Sequence, residues 1–191
     1  MRIMIAVSAL LIAVSANAAT YNIDPEHSSV MFKVRHLVGH VTGQFDKFDG
    51  AFDYDPKNPK TWKAQATIDA ASVDTKTAAR DKHLRSEDFF DVEKHPKLTF
   101  ASTKVGNIKG NHAKLWGNLT ILDTTRKVAL DLEIGGIAKD SAGQERAAFT
   151  ATGRINRQDF GLKWNDTVET GGVLVGDDVD ITIEVEGIRQ K

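Results

Sequence analysis

Six histidines are the side chains of this sequence with the most evident chemistry, because imidazole nitrogens bind metals and exchange protons near neutral pH. Two of them, His36 and His40, are four residues apart. The residues around them alternate between apolar and polar, as in a strand, where that spacing separates two side chains by about 13 Å. Only a bend at Gly39 would bring both to one ion. We therefore predict no metal site.

Motifs for catalysis are weak or absent in this chain. No G-x-S-x-G nucleophile motif occurs, and the glycine pairs at 135–136 and 171–172 lack the lysine or helix start of a phosphate-binding loop. The absence of cysteine excludes a thiol nucleophile, a disulfide framework and cysteine metal ligands. We predict a protein that is not an enzyme and has no catalytic residue. Catalysis through His36 or His83 stays open as the alternative.

The densest polar segment, Arg80–Asp88, is followed directly by Phe89 and Phe90. It interrupts a series of predicted strands. A polar cluster beside paired aromatic rings fits the mouth of a ligand cavity, where Arg80 or His83 would face a polar ligand head. The same residues also fit a plain helical cap over one end of a barrel. Both interpretations stay open from the residues alone.

The helical-cap interpretation makes specific structural predictions. A short helix over residues 77–84 is expected to begin at a cap formed by Asp74 or Thr75, and Ser86 is expected to cap a second helical turn. Ion pairs would then hold the helix to the barrel rim. The expected pairs join Arg80 or Arg85 to Asp81 or Asp88.

Alternation with a period of two runs through most of the remaining chain. In residues 179–185 every second residue is valine or isoleucine, and Val30, Phe32, Val34 and His36 share one face of an earlier strand. About eight such segments follow one another without a linker or repeat, as in an antiparallel sandwich or barrel. Closure into a barrel buries all the apolar faces most simply. We predict an all-β protein with short helices: an extended antiparallel barrel of about eight strands, with a helical insertion around residues 74–95.

Small side chains lie on or near the same inward faces as the phenylalanines, among them Ala64, Ala66, Ala147, Ala151 and Gly153. Small residues on a barrel wall leave volume unfilled, and an apolar void is where an apolar ligand binds. The sequence therefore favours a hollow barrel. A barrel packed solid, without a ligand, is the alternative.

The N-terminus reads as a targeting segment. A positive start at Arg2 precedes an apolar run, Ile3–Val14, that is too short to span a bilayer, and Ala16-Asn17-Ala18 is a typical cleavage site. We predict a signal peptide over residues 1–18, a single domain over residues 19–191 and a periplasmic location. The formal net charge of −1 argues against nucleic-acid binding and electrostatic membrane docking.

Several motifs along the mature chain recur in a known family. They include Asp24-Pro25-Glu26-His27-Ser28, Gly43-x-Phe45-x-x-Phe48-x-Gly50, Arg80-Asp81-x-His83-Leu84-Arg85-Ser86-x-Asp88-Phe89-Phe90 and Asn156-Arg157-x-Asp159-Phe160-Gly161. In this order they resemble the YceI-like family of lipocalin-like, polyisoprenoid-binding proteins. The resemblance implies a long apolar barrel interior that holds an isoprenoid chain, such as a quinone tail or a polyprenyl lipid. It implies no established catalysis.

The resemblance and the polar cluster together mark a set of ligand-binding candidates. These are Phe32, Val34, His36, Phe45, Phe48, Arg80, His83, Phe89, Phe90 and Phe100. We expect a periplasmic carrier or sequestering protein whose partner is an isoprenoid lipid or quinone, with no other cofactor, no nucleic acid and no stable membrane insertion. An enzyme acting on such a lipid, a ligand-free envelope stress protein and a homodimer remain open.

Overall fold

The computed structural model describes residues 18–167 and 173–191. The predicted signal peptide, apart from residue 18, and the glycine pair at 171–172 lie outside the described residues. Within them the chain forms eleven strand segments. These are β1 (Ala19–Ile23), β2 (Ser29–His36), β3 (Gly39–Phe45), β4 (Phe48–Tyr54), β5 (Lys63–Asp69), β6 (Val73–Asp74), β7 (Lys97–Lys109), β8 (His112–Ile121), β9 (Thr124–Lys139), β10 (Glu145–Asn156) and β11 (Val175–Arg189).

The eleven segments form a closed barrel with eight strand positions around its circumference, here called staves. Three staves are interrupted, so each of these consists of two segments. β1 and β2 both pair with β11, β4 and β3 continue this order beside them, and β5 and β6 follow on the next stave. The remaining staves are β7 to β11, each antiparallel to the next. Pairing of β1 with β11 closes the ring. The predicted eight-stranded antiparallel barrel is therefore confirmed.

The predicted strand faces also appear in the structure. Phe32 and Val34 point into the barrel, and Lys33 and Arg35 on the same strand are exposed. β2 and β3 form a tight hairpin whose turn residues are 37 and 38, so Gly39 is the first residue of β3. Gly43 lies within β3, where a Cβ atom would collide with the ring of Phe32. This glycine therefore permits close packing and does not bend the chain.

The predicted helix is present with shifted boundaries and a different cap. It is α1 (Ala78–Arg85), and Thr77 occupies the N-cap position, but its side chain accepts no capping hydrogen bond from the helix backbone. Asp74 and Thr75 therefore do not cap it. Ser86 is the C-cap, donating its backbone N–H to the carbonyl of His83. The turn expected after it is present, and the Asp88 N–H donates to Ser86 Oγ at 3.4 Å. No helix among the described residues combines the length and apolar character needed to cross a membrane.

The described residues also form four short 3-10 helices. They are Pro25–His27, Pro59–Thr61, Ala70–Ser72 and Arg157–Phe160. Two of them interrupt staves, between β1 and β2 and between β5 and β6. The chain leaves the barrel wall after β6 to form α1, and this places the helix over one end of the barrel, here called the α1 end.

Candidate functional site

The barrel encloses a cavity of about 670 Å³. Inward-facing side chains from staves all around the barrel line it, and the great majority are apolar. Its aliphatic lining includes Val30, Val34, Ile68, Leu98, Leu115, Leu119, Leu130, Leu132, Ile155, Val179, Ile181 and Ile183. The cavity exists because small residues alternate with these larger ones on the same faces, as at Ala64, Ala66 and Ala151.

The cavity is long and narrow. On β11 its wall extends from Val175 to Val185, which is roughly 33 Å along the strand and about 25 Å along the axis at a strand tilt of about 40°. Dividing the volume by this length leaves a mean cross-section of roughly 27 Å², a channel about 6 Å across. A channel of this width admits one hydrocarbon chain, since carbon atoms pack at about 4 Å.

All ten ligand-binding candidates predicted from the sequence line this cavity. They are Phe32, Val34, His36, Phe45, Phe48, Arg80, His83, Phe89, Phe90 and Phe100. The structure thus brings them to one surface, and their contact with a ligand remains a prediction.

Arg80 lies at the α1 end and is bound by two threonines. Its Nε donates to Thr75 Oγ1 at 2.7 Å, and its Nη2 donates to the Thr75 carbonyl at 2.8 Å and to Thr77 Oγ1 at 3.0 Å. Asp81 is buried, and its Oδ1 accepts hydrogen bonds from the N–H and the hydroxyl of Thr75 at 2.8 and 2.6 Å. The predicted pairing of Arg80 with Asp81 is therefore wrong, since both residues bind Thr75.

Arg85 also lacks the predicted ion pair. Its Nε donates to the carbonyl of Ala71 and its Nη2 to the carbonyl of Val73, both at 2.7 Å. Asp88 instead forms a hydrogen bond with His83, with 2.9 Å between Asp88 Oδ2 and His83 Nε2. The arginine does hold the helix to the barrel rim, but through backbone carbonyls of β6 and the preceding turn. Sequence patterns do not reveal such partners, because every residue has a carbonyl.

An aromatic cluster beside α1 includes a residue that the sequence analysis did not select. The rings of His83 and Trp164 meet edge to face with centroids 4.7 Å apart, and His83 meets Phe89 in the same way at 5.0 Å. Trp164 and Phe89 are 5.2 Å apart. The His83 side chain is 39% exposed, so this cluster lies between the cavity and solvent. Trp164 comes from a segment without strand alternation, which gave no signal for its position.

Arg157 is a second residue that sequence reasoning missed as part of the site. It lines the cavity and is only 3% exposed. Its Nε donates to the carbonyl of Gly176 at 2.9 Å, and its Nη1 donates to those of Leu162 and Trp164 at 2.5 and 2.8 Å. Burial lowers the pKa of its guanidinium, and Asp177 partly opposes this shift. The side chain thus holds the segment that carries Trp164 against the start of β11.

Four aromatic residues close the opposite end of the cavity, and we call them the aromatic floor: Phe52, Tyr54, Trp62 and Phe149. Beyond them lies Tyr21, which is 1% exposed and stacks on Phe52 with ring centroids 5.2 Å apart. Burial and a 2.7 Å hydrogen bond to Glu145 raise the pKa of Tyr21 to about 12. The tyrosine is therefore neutral and adds no charge to this end.

The histidines that first invited a metal interpretation are separated by the fold. His36 lines the cavity, whereas His40 pairs with Arg35 across the hairpin and lies on the outer face. Among residues 18–167 and 173–191, the one group of three metal-capable side chains is Asp24, His27 and Glu186, far from α1 along β11.

That group already contains a cation. Arg146 Nη1 contacts Asp24 Oδ2 at 2.7 Å and Glu186 Oε1 at 2.6 Å, and its Nε binds Asp140 at 2.9 Å. The hydrogen bond from Arg146 lowers the pKa of the Asp24 carboxyl. A guanidinium between the carboxylates makes this cluster an ion-pair network that ties the β1–β2 interruption to β10 and β11.

Comparison with known proteins assigns the chain to a family. Residues 21–187 match the YceI-like domain. The protein belongs to the YceI-like family. A UPF0312 protein of Pectobacterium atrosepticum is 44% identical to this YceI-like protein over 189 residues, which cover 97% of this chain and 95% of the relative. The family resemblance inferred from the motifs is therefore confirmed.

Solved structures share the fold of this YceI-like protein. The crystal structure of a YCEI protein from Campylobacter jejuni matches with a TM-score of 0.72 at 35% identity, over 82% of this chain and 90% of that one. A polyisoprenoid binding domain from Saccharophagus degradans matches with a TM-score of 0.66 at 15% identity, over 91% and 99% of the two chains. At that identity the second likeness concerns the fold alone.

Proposed function

We propose that this YceI-like protein binds a single isoprenoid chain, such as the tail of a quinone or a polyprenyl lipid, inside the barrel. The observation that carries the proposal is the shape of the cavity. An apolar channel about 25 Å long fits one extended hydrocarbon chain. The Saccharophagus domain that shares this fold is a polyisoprenoid binding domain.

Burial of the tail supplies the driving force for binding. Each buried methylene contributes on the order of 0.8 kcal/mol, so a chain of several isoprene units exceeds the entropic costs of ordering it. The methyl branches of an isoprenoid fill the gaps beside small wall residues such as Ala66 and Ala151. A straight acyl chain leaves those gaps empty and loses part of the packing energy.

The ligand head is placed at the α1 end, where the polar side chains of the cavity are concentrated. Arg80 uses Nε and Nη2 for the threonines, and its Nη1 has no hydrogen-bond partner among the described residues. This nitrogen is available to a carbonyl or phosphate oxygen of the head. The four residues of the aromatic floor include no cationic side chain, and Trp62 Nε1 already donates to the carbonyl of Asp55 at 2.6 Å.

The lining favours a binding protein over an enzyme. His83 shares its Nε2 with Asp88, and His36 is surrounded by aliphatic wall residues such as Val34 and Val179. Within the part of the chain that the structure describes, neither histidine is hydrogen-bonded to a nucleophilic side chain. The alternatives of an enzyme acting on a lipid through His36 or His83 and of a solid-core protein have no support from the cavity. We further propose that the protein acts as a periplasmic carrier, exported by the N-terminal signal peptide.

Native mass spectrometry of the protein purified from its own cells tests the proposal directly. A stoichiometric adduct that extracts as a prenylated molecule supports it. Protein that is free of ligand, and stays so after incubation with quinones and polyprenyl phosphates, contradicts it.

Tryptophan fluorescence then tests the orientation of the ligand. A bound quinone head is expected to quench Trp164 at the α1 end, so Trp164→Phe removes most of the quenching. The matched control is Trp116→Phe, because Trp116 lies on the outer face of β8 under Lys104. Equal loss of quenching in both variants would contradict a head at the α1 end.

A further inference from the structure

The inward face of β10 changes abruptly in side-chain size along the barrel axis. From the α1 end its inward residues are Ile155, Gly153, Ala151, Phe149 and Ala147. Phe149 thus stands between small residues on its own strand. Ala151 and Phe149 line the cavity, whereas Ala147 is 1% exposed and packs within the core beyond it. Along β10 the cavity therefore ends at the ring of Phe149.

The other members of the aromatic floor hold this ring in place. Phe149 meets Phe52, Tyr54 and Trp62 edge to face, with centroid distances of 5.3, 4.9 and 6.2 Å. Phe52, Tyr54 and Trp62 are themselves at most 8% exposed. A ring with three such neighbours cannot swing aside without disrupting their packing. The end of the cavity is therefore a fixed wall.

The adjacent strand strengthens this arrangement. Ala148 pairs with Gly136 and Phe149 with Ile134, so Gly135 forms a bulge in β9 beside them. Gly136 has a φ of +98°, a conformation that residues with a Cβ rarely adopt. A bulge changes the direction of the side chains next to it. Here it lies directly at the position where the cavity ends.

We propose that Phe149 sets the longest isoprenoid tail that this protein can enclose. This inference rests on the proposed function and adds a specificity to it. A tail that extends from the α1 end gains affinity with each isoprene unit until its tip reaches the ring of Phe149. Any further unit must remain outside the cavity, in contact with water. Affinity is therefore expected to rise with tail length and then to stop rising at a defined length.

The size of the effect follows from atom counts. Phe149→Ala removes a ring of six carbons, and an isoprene unit has five. The space opened beside Ala151 therefore accommodates about one further isoprene unit. Each enclosed unit is expected to strengthen binding by at least about tenfold. Ala151→Val adds two carbons just in front of the ring and is expected to shorten the limiting tail length.

The experiment measures dissociation constants for ubiquinone homologues that differ only in the number of isoprene units. Wild type is compared with Phe149→Ala, Ala151→Val and the control Phe32→Ala. Phe32 lines the half of the cavity near α1, against Phe45 at 5.8 Å between ring centroids. Removal of its ring widens that half and weakens binding of all homologues. The limiting length is expected to stay unchanged in the control, and to be about one unit longer in Phe149→Ala.

The possible outcomes separate the two proposals. Wild-type protein that binds no homologue overturns the proposed function itself. Wild-type affinity that rises through the whole series overturns the limit alone, as does an unchanged limit in folded Phe149→Ala or an equal shift in Phe32→Ala. If circular dichroism shows that Phe149→Ala does not fold, Ala151→Val decides: a shorter limit supports the inference, and an unchanged limit overturns it.

Discussion

Replacing Arg157 by methionine is expected to lower the free energy of unfolding by about 3–5 kcal/mol. The side chain is 3% exposed and reaches three carbonyls that belong to different parts of the chain: those of Gly176, Leu162 and Trp164. Methionine keeps the apolar stem but donates no hydrogen bond. The three carbonyls then remain buried without this donor.

The magnitude follows from two opposing contributions. Each buried acceptor that loses its partner costs about 1–3 kcal/mol, so three of them cost about 3–9 kcal/mol. The variant also removes a buried charge. Burial of this charge is unfavourable, as the lowered pKa of the Arg157 guanidinium indicates. We therefore expect the lower part of the range, about 3–5 kcal/mol.

Arg154, three residues earlier and near the end of β10, is a matched control. Its side chain is 63% exposed and forms a 2.7 Å ion pair with Asp180, which is 47% exposed. Exposed pairs of this kind contribute less than about 1 kcal/mol, so Arg154→Met is expected to change stability by no more than that. Arg154→Met removes a guanidinium from an exposed position, whereas Arg157→Met removes one from a buried position.

Urea denaturation at equilibrium measures both variants, with the free energy obtained by linear extrapolation and the slope checked for constancy. Ligand dissociation provides a second measurement, because Arg157 holds the segment that carries Trp164 at the α1 end. Faster release from Arg157→Met is expected. A stability within about 1 kcal/mol of wild type, or an equal loss in Arg154→Met, would refute the reasoning.

Three further predictions concern other parts of the barrel. Asp81→Ala leaves the N–H and hydroxyl of Thr75 without their acceptor, and should cost about 1–3 kcal/mol in urea denaturation, while a loss below about 0.5 kcal/mol contradicts the role of this hydrogen bond. Gly117→Ala places a Cβ against the ring of Phe100 and should cost about 1–3 kcal/mol and weaken lipid binding, whereas unchanged melting temperature and affinity contradict this. Arg146 lowers the pKa of Asp24 and Asp140, so the stabilising contribution of these carboxylates is present above about pH 4 and is lost as pH falls below it. Acid unfolding should therefore be less steep in Arg146→Met than in wild type. Identical pH profiles of the two proteins would argue against this linkage.

The barrel itself was predictable because its determinants are local. Alternation of apolar and polar residues specifies which face of each strand is buried, and the turns that join β7, β8, β9 and β10 are short enough to make consecutive strands neighbours. The inward residues of β11 and β2 appear as predicted. The same reasoning placed the helix within one residue but misassigned its cap, because Thr75 and Asp74 are equally plausible caps by residue type and Thr77 begins the helix without a side-chain capping bond.

The site was predictable only in part. Phenylalanines and small residues on inward faces indicated a cavity, and all ten candidates line it. The aromatic floor and Trp164 were not selected, since a residue's distance along the barrel axis depends on the register of strands far apart in the chain. Tyr54 and Phe149, whose rings lie 4.9 Å apart, are an example.

The sequence by itself therefore determined the class of fold, the inward faces and the apolar character of the interior, because these follow from the period of side chains along one strand. The tertiary structure alone decided the partners of the charged residues and the two ends of the cavity. Arg85 binds backbone carbonyls and not the nearby aspartates. Phe149 ends the cavity because two rings from β4 and the ring of Trp62, just before β5, surround it. Such contacts depend on closure of the barrel, which brings distant strands into one ring.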